Sequence, residues 1–510
     1  MSTPSPSLDT TRSRISRPPD WAVLSLLCLG QLIVVLDLSI VNVALPAIQG
    51  SLDFSDAGLQ WVVNGYAITF AGFLLLGGRV ADLIGRRRVF LIGLTIFTLA
   101  SLAGGLARSS EWLVIARVIQ GFGGALLSPA TLAILSTTFT EGKARARATA
   151  AWGAISGAGA ALGSVLGGVL TDIASWQWIF YVNIPLGALA LALTYPLLGE
   201  SRGAAGKRLD GVGAVLVTTA LVALVFGAVD SQNHGWSAPS TWGPIAGAAV
   251  LLVWFTLHEA KVAAAPLIPL YVLKIRSVAF ANIVMFWIGA AVIAHFYFLS
   301  LYMQNILGYN AFRTGIAFLP GAVAMTIGAY SGPPLVKRFG GVRPLLTGAP
   351  ALSALGLIWL AFVPDHGSFA LHVLIPQVLI TLGAGLVMVP LVIAATGGVA
   401  PAEAGVASGI INTTRQFGGA IGLAVLATIA ASRTGSGSGG HPPSHAELLS
   451  GYHAAFGVGA VFAVVALVFT FGLRTAAPPA PAAATPAEPE IDAPESDAAL
   501  ETTESSPARP

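Results

Sequence analysis

Apolar residues in this chain run in long blocks, and polar residues collect in the short gaps between them. Between Trp21 and Arg474 the pattern resolves into fourteen stretches, near 21–47, 58–78, 89–107, 112–135, 148–170, 178–198, 211–229, 242–258, 279–302, 314–333, 344–363, 369–395, 405–431 and 453–473. A hydrocarbon core about 30 Å thick is crossed by roughly 20 helical residues, and 242–258 is the shortest of the set. Inside lipid a chain must satisfy its own backbone hydrogen bonds, which unbroken helices do. The pattern therefore predicts an all-α polytopic membrane protein with 14 transmembrane helices. Composition agrees: 55% of residues are hydrophobic and 10% charged, against roughly 25% charged in soluble domains.

Basic residues orient the helices. Of the 26 Lys and Arg, 21 fall in the gaps on one side, including Arg79, Arg86, Arg87, Arg88, Lys143, Arg202, Lys207, Lys274, Lys337 and Arg343. Only Arg108, Arg313 and Arg433 fall on the other, and Arg117 and Arg415 lie within spans. Positive charge marks the cytoplasmic side, so both termini are expected there, in a bacterial cytoplasmic (plasma) membrane. The formal net charge of +3 reflects this topology and implies no nucleic-acid partner. The single cysteine, Cys28, excludes an intramolecular disulfide. Residues 1–20 and 474–510 lack apolar periodicity and read as disordered cytoplasmic tails.

Two gaps resemble each other. Gly78–Arg88 follows the second span and 335–343 follows the tenth; aligning Gly85 with Gly340 puts Asp82 on Lys337 at an offset of 255 residues. Six spans with their connections occupy some 180 residues, so about 75 are inserted. The expected organisation is a six-helix bundle over 21–199, a linker with two additional transmembrane helices over 200–275, and a second six-helix bundle over 276–473. Duplicated bundles with a substrate path between them are a recurring transporter plan.

Polar residues inside spans are the candidate chemistry. Asp37 is the only carboxylate well inside an apolar stretch, and an intramembrane ionisable group marks an ion path or relay by default. Desolvation disfavours its charged form and a nearby cation favours it, so such a group can take up a proton on one face and lose it on the other. The bland reading is a permanently paired structural carboxylate. Arg117 is the expected partner: the two lie ten and six residues below one surface, roughly 15 and 9 Å deep. In span 5, Gly159, Gly163 and Gly167 share a face where another backbone can approach closely. Gln60 and Asn64, Asn282 with Phe286 and Phe296, Gln377, Asn412 and Arg415 are candidate substrate contacts, although residues of this kind are individually more often packing than ligand contacts. A cavity with aromatic walls and few polar anchors suits apolar or cationic organic molecules. His295 is a lone intramembrane histidine, and Arg415 could neutralise an acid across the bundle, bind substrate or bond to carbonyls.

These motifs, in this order, resemble the major facilitator superfamily, in its fourteen-helix drug:proton antiporter branch. The resemblance rests on Leu36–Pro46, the Gly78–Arg88 loop, Arg117–Gly121, the span 5 glycines, Trp176–Pro185 and Asn412–Gly419. It implies proton coupling at Asp37 with Arg117. It also implies a conformational latch at Gly78, Asp82, Gly85, Arg86 and Arg87 that ties the cytoplasmic ends of the halves together. The alternative for that loop is a purely topogenic one. Two positions depart from the family pattern: Ser164 replaces the proline after the middle glycine, and Leu83 replaces a basic residue. No phosphate loop, metal-ligand cluster or nucleophile with a base is present in the sequence, so no enzyme and no cofactor beyond the coupling proton are expected. The reading is a monomeric secondary transporter exporting drugs, antibiotics or other amphipathic organic compounds. Its rivals are a facilitator or proton-coupled transporter of one metabolite, and a membrane sensor that has lost transport.

Overall fold

The first apolar stretch folds as one long helix, α1 (Asp20–Leu52), which ends where Asp53 turns left-handed at φ 50°. In the computed structural model the described residues are 18–139, 142–202, 210–235, 237–263, 266–267, 270–396, 399, 404–434 and 444–473. Ser55 accepts the Gly58 N–H and starts α2 (Asp56–Ile84). That helix stops at Gly85, whose φ of 118° is a backbone conformation that excludes most side chains. Then follow α3 (Arg86–Gly105), α4 (Ser110–Thr138) and α5 (Gly142–Ile173). The sixth stretch is broken at Val182 into α6 (Trp178–Tyr181) and α7 (Asn183–Leu197).

After α7 come α8 (Gly211–His234), α9 (Pro239–Lys261) and the short α10 (Leu270–Leu273). Next come α11 (Arg276–Leu301), extended by a π turn over Tyr302–Ile306, α12 (Ala311–Arg338) and α13 (Arg343–Leu360). A second π segment, Phe369–Leu374, leads into α14 (Ile375–Thr396). The chain closes with α15 (Ala404–Arg433) and α16 (His445–Thr470), the latter opened by a Ser444/Glu447 capping box.

The all-α membrane fold is as the sequence predicts. Among the described residues 12 helices are long and apolar enough to cross a membrane, or 13 with α2, which bends by 52° between Gly58–Leu74 and Leu76–Ile84. The remaining predicted span, 148–170, lies in α5, where the apolar helix among the described residues is Leu162–Ile173. Large apolar side chains such as Val250, Val253, Trp254 and Leu257 on α9 are exposed. Such a surface is suited to lipid, since water-soluble monomers rarely carry apolar patches of this extent.

Small residues let the helices approach. A Cβ at Gly163 of α5 would sit 2.8 Å from the Leu36 carbonyl of α1, and Gly121 of α4 abuts the backbone of Tyr66 on α2. On the C-terminal side, Gly289 of α11 lies against the backbone of Arg415 on α15. Gly168 of α5 meets Ala311 at the start of α12. Helix α8 packs on α2, with Gly72 against Thr218, and on α15, where Thr428 donates to the Ala228 carbonyl at 2.8 Å. At the far end of α8, burial pushes the Asp210 carboxyl up. Hydrogen bonds from Glu259, the Gly213 N–H and His258 more than offset this and hold it below the usual range.

Candidate functional site: a buried carboxylate–arginine cluster

Asp37 sits midway along α1 and is fully buried. An isolated carboxylate there would face a large desolvation penalty, and five helices combine to offset it. Arg117 of α4 donates from Nη1 to Asp37 Oδ2 at 2.5 Å. Gln120, one turn further along α4, donates from Nε2 to Oδ1 at 2.8 Å and accepts a second bond from Arg117 Nη1 at 2.8 Å. Asn183, the first residue of α7 after the break at Val182, also donates to Oδ1, at 3.2 Å.

The cluster is continuous beyond these contacts. Asn183 Nδ2 reaches Ser101 Oγ of α3 at 3.1 Å, and Ser101 donates to the Phe180 carbonyl at 2.9 Å. Arg117 Nε donates to the Val62 carbonyl of α2 at 2.9 Å, and its guanidinium lies over the Tyr66 ring, 4.5 Å from the centroid. Cation–π contact of this kind strengthens when desolvated. Two polar atoms at the cluster, Asn183 Oδ1 and Tyr66 Oη, are buried without a hydrogen-bond partner among the described residues. The arrangement holds one ion pair deep in the span. Protonating its carboxylate would neutralise it and leave Arg117 without its counter-charge.

The profile of the Major Facilitator Superfamily matches residues 27–423 of this chain. The chain belongs to this superfamily. Its members are transporters, not enzymes, and the chain is a multi-pass membrane protein of that kind. Relatives in the superfamily include the cephamycin export protein CmcT of Amycolatopsis lactamdurans, 43% identical over 88% of this chain and 91% of that protein. The puromycin resistance protein pur8 of Streptomyces alboniger is 38% identical over 89% and 90%. The multidrug resistance protein Stp of Mycobacterium tuberculosis (strain CDC 1551 / Oshkosh) is 38% identical over 79% and 74%. Among solved structures, a bacterial homolog of the human lysosomal transporter Spinster, inward-facing and unoccupied, aligns with a TM-score of 0.63 at 17% identity. It covers 89% of this chain and 97% of that one. An auto-inhibited POT family peptide transporter aligns with a TM-score of 0.65 at 16% identity over 90% and 99%. At such identities these two share the fold alone.

The loop between α2 and α3 is tied down within its own neighbourhood. Asp82 pairs with Arg86 one helical turn on, at 2.8 Å, and does not cap α3. Gly85 turns the chain, and Gly78 lies a Cβ's reach from Pro129 of α4. Glu200, just past α7, accepts from the Arg87 N–H at 3.2 Å and lies 3.9 Å from Arg87 Nε and 3.7 Å from Arg88 Nε. Arg87 also donates to the Leu198 carbonyl and lies over the Tyr195 ring. The ladder Gly159, Gly163 and Gly167 faces α1 from Leu32 to Ile40, the same stretch that carries Asp37.

The substrate candidates fall in several places. Gln60 and Asn64 are fully buried on α2, and neither side-chain polar atom of Asn64 has a partner among the described residues. Asn282 of α11 accepts from Thr414 of α15 at 2.8 Å, and Phe286 packs edge-on against Trp287. Phe296 lies between His295 and Phe318. Gln377 is taken up in helix packing: it donates to the Ala317 carbonyl of α12 at 2.6 Å and lies against Gly321. Asn412 accepts from Arg415 Nη2 at 3.1 Å.

The sequence candidates omit Ser101 and Glu200, and hold Gln120 and Asn183 only as members of Arg117–Gly121 and Trp176–Pro185 with no role assigned. Gln120 carried a signal, since it is three residues from Arg117 and therefore on the same helix face. Asn183 carried none that spacing could read, because the break that aims it at Asp37 is a tertiary feature.

Proposed function

We propose that this chain is a proton-coupled antiporter that exports amphipathic organic compounds, antibiotics among them, from a bacterial cytoplasm. The observation that carries the coupling is the buried Asp37–Arg117 pair, held by Gln120 and Asn183. The relatives named for export of cephamycin and resistance to puromycin support the substrate class. In this reading two six-helix halves, 21–199 and 276–473, rock about a path between them, and a single chain suffices for transport.

Among the described residues the hydrogen bonds between the halves gather at one end of the helices. Ser300 donates to the Asn42 carbonyl at 2.8 Å, Gln304 to the Val43 carbonyl at 3.0 Å, and Asp172 accepts from the Phe312 N–H at 3.0 Å. The distribution of basic residues assigns that end to the outside, so this geometry supports an outward-closed state. Proton entry at Asp37 removes one charge from the pair, which changes the balance holding α1, α4 and α7 together and gives the gradient a lever on the packing.

The test is flux in proteoliposomes under an imposed pH gradient, with a panel of cationic, neutral and anionic amphipathic compounds. Uphill, gradient-dependent movement of members of the panel is the expected result. Movement that only equilibrates one metabolite, or no movement at all, would overturn the antiporter reading.

A further inference from the structure

Two arginines lie in the interior of the spans, and among the described residues only one is paired with an acid. Arg117 is paired with Asp37. Arg415 lies on α15 eleven residues from its first residue, Ala404, about 16 Å along the helix. Among the described residues it makes no ion pair, and its one hydrogen bond is Nη2 to Asn412 Oδ1 at 3.1 Å. The sequence offers it little else. From 276 to 473 the carboxylates are Asp365, Glu403 and Glu447. Asp365 lies in the turn after α13, Glu447 in the first turn of α16, and Glu403 precedes α15 in sequence. A guanidinium has five N–H donors in a fork that matches carboxylate and phosphate oxygens, and here one is taken by a neutral amide oxygen.

A half-buried cation at membrane depth with no ion pair among the described residues is costly, and such residues mark a ligand path. Its placement is specific. The backbone of Arg415 is pressed against α11 at Gly289, which fixes where the side chain begins. On the same α11–α15 seam, one residue away, Thr414 bonds to Asn282. There a cleft of about 250 Å³ is lined by Asn282, Ile283, Phe286, Trp287 and Thr414. An unpaired cation on a helix that also lines a small aromatic-walled cleft suits a ligand with a flat apolar body and an anionic head.

We infer that Arg415, positioned by Asn412, is an anion-binding anchor of the transport path, so that the chain selects amphipathic organic anions. The inference rests on the export reading above and narrows it. It reverses the expectation, drawn from aromatic and amide residues alone, of apolar or cationic cargo. The shared chemistry is a carboxylate or phosphate group, carried either by a transported organic acid or by an anionic lipid headgroup.

The probes are 1-pyrenebutyric acid and 1-pyrenebutyramide, which differ in charge and share one apolar body. Binding to the purified full chain is followed by pyrene fluorescence. The wild type should bind the acid at least 10-fold more tightly than the amide. Arg415→Gln should abolish that preference and leave amide affinity within about 2-fold, and Arg415→Lys should retain part of it. Thermal melting of each variant reports folding separately. A wild type with no preference for the acid, or an Arg415→Gln protein that loses both probes alike, would overturn the assignment. Repeating the titration in phosphatidylcholine membranes with and without phosphatidylglycerol separates the sources. Displacement of the acid by phosphatidylglycerol assigns the site to lipid headgroups and overturns substrate selection. Gradient-driven flux of the wider compound panel tests the export reading independently: uphill export with no preference for acids overturns the anion anchor alone, and no uphill export of any compound overturns the export reading.

Discussion

Arg117 Nη1 and Asp37 Oδ2 are 2.5 Å apart across the α1–α4 contact, and both side chains are almost wholly withdrawn from solvent. Removing one partner of a buried pair typically costs about 3–5 kcal/mol, because the other charge is left uncompensated. Arg117→Ala should therefore lower the melting temperature more than any other single change at this cluster. A melting temperature equal to wild type would mean that Asp37 is already neutral and makes no demand on Arg117.

Asp37→Asn keeps the side-chain size and fixes the site as uncharged. If Asp37 carries the coupled proton, uphill export driven by a pH gradient should fall at least 10-fold, while binding and downhill exchange persist. Arg117 retains the Val62 carbonyl, Gln120 and the Tyr66 ring, so the variant should still insert. Proteoliposome flux with and without a gradient makes the comparison. A stable variant that concentrates substrate as the wild type does would remove Asp37 from the coupling.

Asn183→Ala tests the part of the cluster that the helix break creates. It removes one donor from Asp37 Oδ1 and leaves Ser101 Oγ short of a partner. Losing a buried hydrogen bond to a charged group costs about 1.5–3 kcal/mol. Melting should drop correspondingly, and gradient-driven flux should fall with it, whereas Ser55→Ala at the α2 cap should leave flux unchanged. Equal flux in both variants would exclude Asn183 from the coupling machinery.

How much of this was legible in the sequence depends on whether a feature is local. The helices follow from apolar run length, and Asp37 and Arg117 stand out because charge in such runs is rare; matching their depths needed only the rise per residue. Gln377 stands out in the sequence as an intramembrane amide, and the packing that gives its Nε2 the Ala317 carbonyl beside Gly321 is not written in its spacing. The contacts of Asn183, which the sequence shows only as part of Trp176–Pro185, and of Glu200 are illegible because they are not local. Their partners are 146 and 113 residues away, and no spacing rule connects them. The resemblance to known transporters named the loop at Asp82, yet the acid that holds its arginines here, Glu200, lies outside that motif.

Gly163 measures how tightly α1 and α5 are locked around Asp37. A Cβ there would lie 2.8 Å from both the Leu36 carbonyl and Ser39 Cβ, so Gly163→Val must push the helices apart. Overpacking of this kind costs about 1–3 kcal/mol. Gly50→Ala on α1 meets nothing within 4 Å and serves as the control, with melting unchanged or slightly raised. Similar melting temperatures for the two variants would show that α5 yields freely at Gly163.

The contacts between Gln304 and Val43 predict that the outward-closed end must open during transport. With Cys28 replaced by serine, cysteines at 43 and 304 provide a unique pair. A short reducible bis-thiol reagent should cross-link them and lower uphill flux at least 10-fold, with recovery on reduction. Each single cysteine should be indifferent to the reagent. Full flux in the cross-linked protein would place the moving contacts elsewhere.

Glu200 separates a latch from a topological signal at the α2–α3 loop. Its carboxylate lies within 4 Å of Arg87 and Arg88 and is about a quarter exposed, with 23% of the side chain accessible. Ion pairs near a surface contribute about 0–1 kcal/mol, so Glu200→Gln and Asp82→Asn should each change stability by less than about 1 kcal/mol. Neither substitution removes a basic residue, so membrane orientation should also be unchanged. If the loop takes part in switching conformation, both variants should slow export several-fold despite intact folding and topology, because the arginines are released to the wrong partners. If the loop only marks the cytoplasmic side, flux will match the wild type in both. A reporter fused after residue 200 fixes the orientation in the same strains, and a change in its signal would count against both readings at once.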